Sequence, residues 1–129
     1  MRAFTMMTQP PNPPSISRWL RVEHAALLAL AVVIYGRVSG DWLAFALLLL
    51  LPDISMIGYV RGSTLGSVTY NAGHMLAAAL AVIALGAVTA SLPVVQIGLI
   101  WAAHILLDRA LGYGLKYPTH FKDTHLQRV

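Results

Sequence analysis

His104 and Asp108 stand four residues apart near the end of an apolar run, so on a helix they share one face. A histidine and a carboxylate at that spacing can bind one divalent metal ion, or the carboxylate can orient the imidazole as a general base. They can equally do no more than satisfy each other by a hydrogen bond. The same face continues back through Trp101 and Ile97. A second polar stripe, Tyr70, Asn71 and His74, opens the preceding apolar stretch, with Ala77, Ala78 and Ala81 beyond it. Those alanines imply close approach of a neighbouring helix, which turns His74 toward protein rather than lipid. Asp53 follows Pro52 at the close of an earlier apolar run. It can cap a following helix through Ile54-Ser55-Met56, or it can join the other three. Ionisable groups at membrane depth are costly, so each is a candidate for function. The candidate metal ligands are therefore Asp53, His74, His104 and Asp108, and the catalytic candidates are His74, His104 and Asp108. They are expected to converge near the helix ends on one side, with functional atoms within about 8 Å.

Other polar groups carry weaker signals. Glu23 and His24 precede the first apolar run and point about 100° apart on a helix, so one of them, read as Glu23, faces the bundle centre. Gly58, Gly62 and Gly66 recur every four residues. That spacing suits a helix-packing seam, but Arg61, Ser63 and Thr64 between them favour a flexible connection. His120 and His125 lack a standard zinc spacing and matter only if the tail folds back, a bend that Gly112-Tyr113-Gly114 would permit.

The elements that must position these groups follow from composition. The 129 residues are 57% hydrophobic and 11% charged. A soluble domain is about a quarter charged, so for most of this chain the solvent is the bilayer. Apolar stretches fall at about 17–38, 42–51 with a continuation toward Tyr59, 69–88 and 94–107, separated by glycine, serine and proline. The expected fold is all-α, an integral membrane four-helix bundle of up-down topology. A Pro-rich leader over 1–17 reads as disordered, the transmembrane domain covers 18–117, and a short polar tail covers 118–129. No cysteine is present, which excludes disulfides, thiol nucleophiles and Cys-ligated zinc. The net charge of +4 arises from a few basic residues at helix ends. They suit anionic lipid head groups rather than nucleic acid. Arg2, Arg18, Arg21, Arg61, Arg109, Lys116, Lys122 and Arg128 fall on one side and Arg37 on the other, so both termini are expected in the cytoplasm.

The strings Pro52-Asp53-Ile54-Ser55-Met56-Ile57-Gly58-Tyr59, Tyr70-Asn71-Ala72-Gly73-His74, His104 through Tyr117, and Phe121-Lys122-Asp123-Thr124-His125-Leu126 resemble a family of small membrane proteins, domain of unknown function 4260. The resemblance implies a multi-pass protein of a bacterial inner membrane and brings no activity with it. The His/Asp content also resembles, without a motif match, that of small membrane-bound metal-dependent hydrolases.

Three functions remain open to the sequence. One is a hydrolase acting on a lipid or phospho-ester, with a divalent metal at the cluster and Arg61, Arg109 and Lys116 neutralising phosphate. Another is a proton- or ion-coupled transporter working as a homo-oligomer, and a third is a non-catalytic membrane subunit. The far half of the bundle is almost wholly apolar, which disfavours a conduction path. For the topology, reporter fusions after Gly40, Gly66, Ser91 and Val129 should read outside, inside, outside and inside. An outside C-terminus would overturn the orientation.

Overall fold

The structure, a computed structural model, describes residues 14–119 and 121–128. The Pro-rich run up to Pro13 and His120 lie outside the described residues. The elements are α1 (Pro14–Val38), α2 (Trp42–Leu48), a 3-10 helix (Leu51–Arg61), α3 (Ser63–Gly73), α4 (Leu76–Val88), α5 (Leu92–Leu111) and the short α6 (His125–Arg128). Helix α1 thus begins at Pro14, inside the stretch expected to be leader, as suits a proline at a helix N-terminus. Among the described residues there is no strand, only an isolated antiparallel bridge between Lys116 and Thr124.

Four segments are long and apolar enough to cross a membrane: Ile16–Val38, Trp42–Arg61, Ser63–Val88 and Leu92–Leu111. Large apolar side chains such as Leu43, Leu47, Val60 and Val88 stand exposed on their outer faces. That distribution is stable where the surroundings are hydrocarbon. The chain is an all-helical membrane-type bundle.

Helix α5 is its axis, because both α1 and α4 pack along it, while α3 packs against the 3-10 helix. Its buried residues include Leu99, Ile100, Ala102, Ala103, His104, Ile105 and Leu106. Two glycines let α4 and α5 touch backbone to backbone. A Cβ on Gly98 would lie 2.9 Å from Ile83 N, and one on Gly86 would lie 2.6 Å from Val95 N. Without a hydrophobic force between helices in lipid, such close packing is what holds them together. At the other contact, Tyr35 of α1 packs on Leu99 and Ile100 and donates its hydroxyl to Asp41 O at 2.8 Å.

Two of the four segments are interrupted. The second passes from α-helix to 3-10 helix across Leu49-Leu50, where Pro52 has no N–H to continue an α-helical ladder. The third breaks at His74-Met75, with His74 at φ −116°, ψ 17° and Met75 extended. The Gly58–Ser67 stretch is not the flexible connection expected. It is helical on both sides of a single turn residue, Gly62 at φ +127°. Gly58 and Gly66 are contact points there: added Cβ atoms would strike the Thr69 hydroxyl and the Tyr59 ring. The packing reading holds for Gly58 and Gly66, on two separate helices, and not for Gly62, which meets nothing within 4 Å.

Gly98→Leu should force α4 and α5 apart. Overpacking of this kind costs about 1–3 kcal/mol. The unfolding midpoint in detergent should fall, whereas Gly62→Ala, which meets nothing within 4 Å, should act only through its backbone strain. Equal stability of Gly98→Leu and the parent would contradict the close α4–α5 crossing.

Candidate metal centre

The two interruptions lie beside the polar cluster. Asp53 sits in the first turn of the 3-10 helix, where the helix N-terminus favours negative charge. The N-cap itself is Leu50, which has no side-chain capping bond. The Asp53 carboxylate turns toward two imidazoles. His74 is the residue after α3, so its backbone leaves the helix while its ring stays on the axis side. His104 and Asp108 project from one face of α5. Close approach between the first two elements depends on Gly73. A Cβ there would come 2.6 Å from Ser55 Oγ and 3.3 Å from Pro52 O.

All four expected residues meet. His74 Nε2 is 3.0 Å from His104 Nε2. Asp53 Oδ1 lies 3.4 Å from His74 Nε2 and 3.3 Å from His104 Nε2. Asp108 Oδ2 lies 3.4 and 3.5 Å from the same two nitrogens. All four donor atoms fall within 4.8 Å of one another. Ligands held 2.0–2.1 Å from a tetrahedral ion sit roughly 3.3–3.4 Å apart, so these spacings suit such an ion. Imidazole and carboxylate together suit zinc and the neighbouring divalent transition metals. The imidazoles are sealed, with side chains 3% exposed, while Asp53 and Asp108 are 33% and 21% exposed. The cluster is therefore closed on the histidine side and reachable on the carboxylate side.

Proton placement sharpens the chemistry. His74 Nδ1 lies 2.9 Å from Tyr70 O, a carbonyl that can only accept, so Nδ1 carries the hydrogen. In the neutral ring, Nε2 then offers a lone pair to the cluster. The carboxylates also only accept. With neutral rings, the histidines leave one proton at most, on His104 Nε2, to serve four mutually facing acceptors. His104 Nδ1 is buried without a hydrogen-bond partner.

A second layer fixes the first. Tyr70 stacks on His74 with ring centres 3.7 Å apart and planes at 11°, and its hydroxyl donates to Asp108 Oδ2 at 3.3 Å. The helix break frees carbonyls that lipid could not satisfy. Trp101 Nε1 donates to Gly73 O at 2.6 Å, and Arg109 Nη2 reaches His74 O at 3.4 Å. The sequence pattern does not assign these supporting roles to Tyr70 and Trp101. The i, i+4 spacing of Tyr70 and His74 was the available signal for one of them. For Trp101 there was none, because its partner exists only where α3 breaks.

The tail does fold back. Asn71 pairs twice with the backbone of Lys116, donating to its O at 2.8 Å and accepting from its N at 2.7 Å. Thr124 and Leu126 are buried, and Leu115 N donates to His125 Nδ1 at 2.8 Å. His125 thus anchors the tail and stays out of the cluster. Lys116 is buried among Phe121, Tyr70 and Tyr59 and donates to Phe121 O at 2.9 Å. Burial lowers its ammonium to about 8, against the partial opposition of Asp108 and Asp53.

The remaining expectations need correction. Neither Glu23 nor His24 joins the site. Glu23 is exposed, and His24 turns its Nδ1 to Leu20 O of its own helix at 2.6 Å. Arg61 is exposed at the end of the 3-10 helix, eight residues beyond Asp53, so Arg109 and Lys116 are the cations nearby. The cluster also lies deeper than the helix ends. His74 is eleven residues past Ser63 and His104 seven before Leu111, which is roughly 16 and 10 Å of helical rise. The cause is the helical Gly58–Ser67 stretch, which lengthens both middle segments.

The chain belongs to the family described as Domain of unknown function (DUF4260), whose model matches residues 17–129. No curated protein matches it. No solved structure matches it.

Two outcomes are expected here. Gly73→Ala improves intrinsic helix propensity by up to about 1 kcal/mol, yet it should separate Asp53 from His74 and lower the stability of the bundle. A raised midpoint would contradict the close approach. For the tail, Lys116 docked has a lower affinity for protons than Lys116 in water. Docking should therefore strengthen as pH rises from about 8 toward about 10.5 and stay flat below 8. Hydrogen exchange of residues 114–126 across that range measures it, and Lys116→Met should remove the dependence.

Proposed function

We propose that this member of the DUF4260 family holds one divalent metal ion between Asp53, His74, His104 and Asp108 and hydrolyses an ester or phospho-ester at the membrane. The carrying observation is the convergence of four ligand-type side chains, with the imidazole nitrogens buried and 3.0–3.5 Å from each other and from the carboxylates, and all four atoms within 4.8 Å of one another. Four such atoms repel one another unless a cation lies between them. A divalent ion there, expanding to a fifth position on the exposed carboxylate side, would supply Lewis acidity to a carbonyl or phosphoryl oxygen and acidify water. The chain's own groups do the rest. His74, held by Tyr70 O and the Tyr70 ring, keeps its Nε2 lone pair aimed inward. Asp108, bonded to the Tyr70 hydroxyl, faces the reachable side and is placed to take a proton there. Arg109 and Lys116 lie where they can offset negative charge gathering on a substrate.

Two other functions were open to the sequence. A hydrogen-bonded plug of neutral rings would have one histidine proton at most for the four facing atoms, where a divalent ion would satisfy all four. A transporter would need polar groups across the bundle, and Leu76–Val88 carries none beside the apolar side chains.

Detergent-purified protein should carry about one divalent ion per chain. His104→Ala should abolish that stoichiometric metal while expression and folding persist. Hydrolysis of vesicle phospholipid or a soluble phospho-ester should disappear with chelator and with the same variant. Tyr70→Phe, which removes only a supporting hydrogen bond, should cost roughly 10–100-fold in metal affinity or activity. A metal-free parent whose His104→Leu, Asp108→Leu double variant is equally stable would defeat the proposal.

A further inference from the structure

Beside the cluster lies a cavity of about 370 Å³ lined by Leu48, Leu51, Pro52, Ser55, Gly73, Ile97, Ile100 and Trp101. Its size falls in the range of small-molecule sites. No charged side chain lines it, and the Ser55 hydroxyl is already donated to Pro52 O at 2.7 Å. One wall is built by Pro52, Ser55 and Gly73, the residues that flank Asp53 and His74 in sequence. Two other lining residues, Leu51 and Ile97, are more than half exposed and lie within membrane-length segments. The cavity thus runs from a hydrocarbon-facing mouth to the backbone that carries two of the four converging residues. The four cluster residues stand behind this wall, outside the lining, as do Tyr70, Arg109 and Lys116.

We infer that this cavity takes a hydrocarbon chain of a bilayer amphiphile, which enters sideways between Leu51 and Ile97 and presents its polar linkage to the cluster. This rests on the metal reading for the head and on the cavity for the tail. An aqueous occupant is disfavoured because a water needs two to four polar partners and the walls offer almost none. A soluble, fully polar substrate would leave the cavity empty. A chain anchored in it sets the reacting group at a fixed distance from the cluster, so chain length governs affinity.

The test uses the full chain in phosphatidylcholine vesicles, with Trp19→Phe and Trp42→Phe so that Trp101 is the sole indole. The probes are alkyl hydroxamates of two and ten carbons, whose heads bind metals. On zinc-loaded protein the ten-carbon probe should bind at least tenfold more tightly than acetohydroxamate. Ile97→Phe and, separately, Leu48→Phe should remove that gain without changing zinc stoichiometry or acetohydroxamate affinity. Equal affinity of both probes for zinc-loaded protein would overturn the chain site and leave the metal reading standing. If no zinc binds, the metal reading falls by itself, and vesicles of phosphatidylcholine brominated along one chain decide the cavity. Quenching of Trp101 that either blocking variant relieves supports the inference, and absent or unrelieved quenching overturns it.

Discussion

Two carboxylate oxygens and two imidazole nitrogens pointing at one another inside an apolar bundle demand a shared proton or a cation between them. The two imidazoles are withdrawn from water, and the carboxylates keep only part of their contact with it. The rest of the structure is arranged around this demand. Asp53 reaches the cluster because the second segment turns to a 3-10 helix at Pro52. His74 reaches it because the third segment ends α3 at Gly73 and restarts at Leu76. Only α5 contributes its pair from an unbroken helix. Helical interruptions in lipid are costly, and here both fall beside the same four atoms.

Those interruptions persist because other groups complete them. Trp101 and Arg109 of α5 take the Gly73 and His74 carbonyls, and Tyr70 both stacks on His74 and bonds Asp108. Beyond them the tail returns over α3, pinned by the paired bonds of Asn71 and by buried Thr124 and Leu126. The Lys116 ammonium is thereby kept among aromatic rings close to the two aspartates. Small residues do the complementary work. Gly73 admits Ser55, and Gly86 and Gly98 admit the neighbouring backbone, so that α5 lies close enough for its polar face to complete the set.

Much of this was legible in the residues. Four apolar blocks in a weakly charged chain imposed a helical membrane bundle, because only internally bonded backbone survives in hydrocarbon. The four cluster residues stood out as ionisable groups in that setting, and His104 with Asp108 announced a shared face by spacing alone. Their depth did not show, because glycine and serine over 58–67 read as a connection when the stretch is helical on both sides of Gly62, with Gly58 and Gly66 packed against Thr69 and Tyr59. The composition of a glycine is the same in a loop and at a helix crossing. The place of Glu23 and Arg61 was also misjudged, since charge marks a residue as notable without saying which way it faces. The supporting roles of Trp101, Ser55 and Asn71 depend on backbone breaks and a returning tail, which no local pattern encodes.

The central claim is a divalent ion ligated by two imidazoles and two carboxylates, and X-ray absorption at the metal edge of zinc-loaded protein tests it most directly. The account predicts a first shell of four or five nitrogen or oxygen atoms at about 2.0–2.2 Å, with outer-shell scattering from two imidazole rings. A spectrum that lacks imidazole scattering, or shows zinc surrounded by water alone, would contradict it.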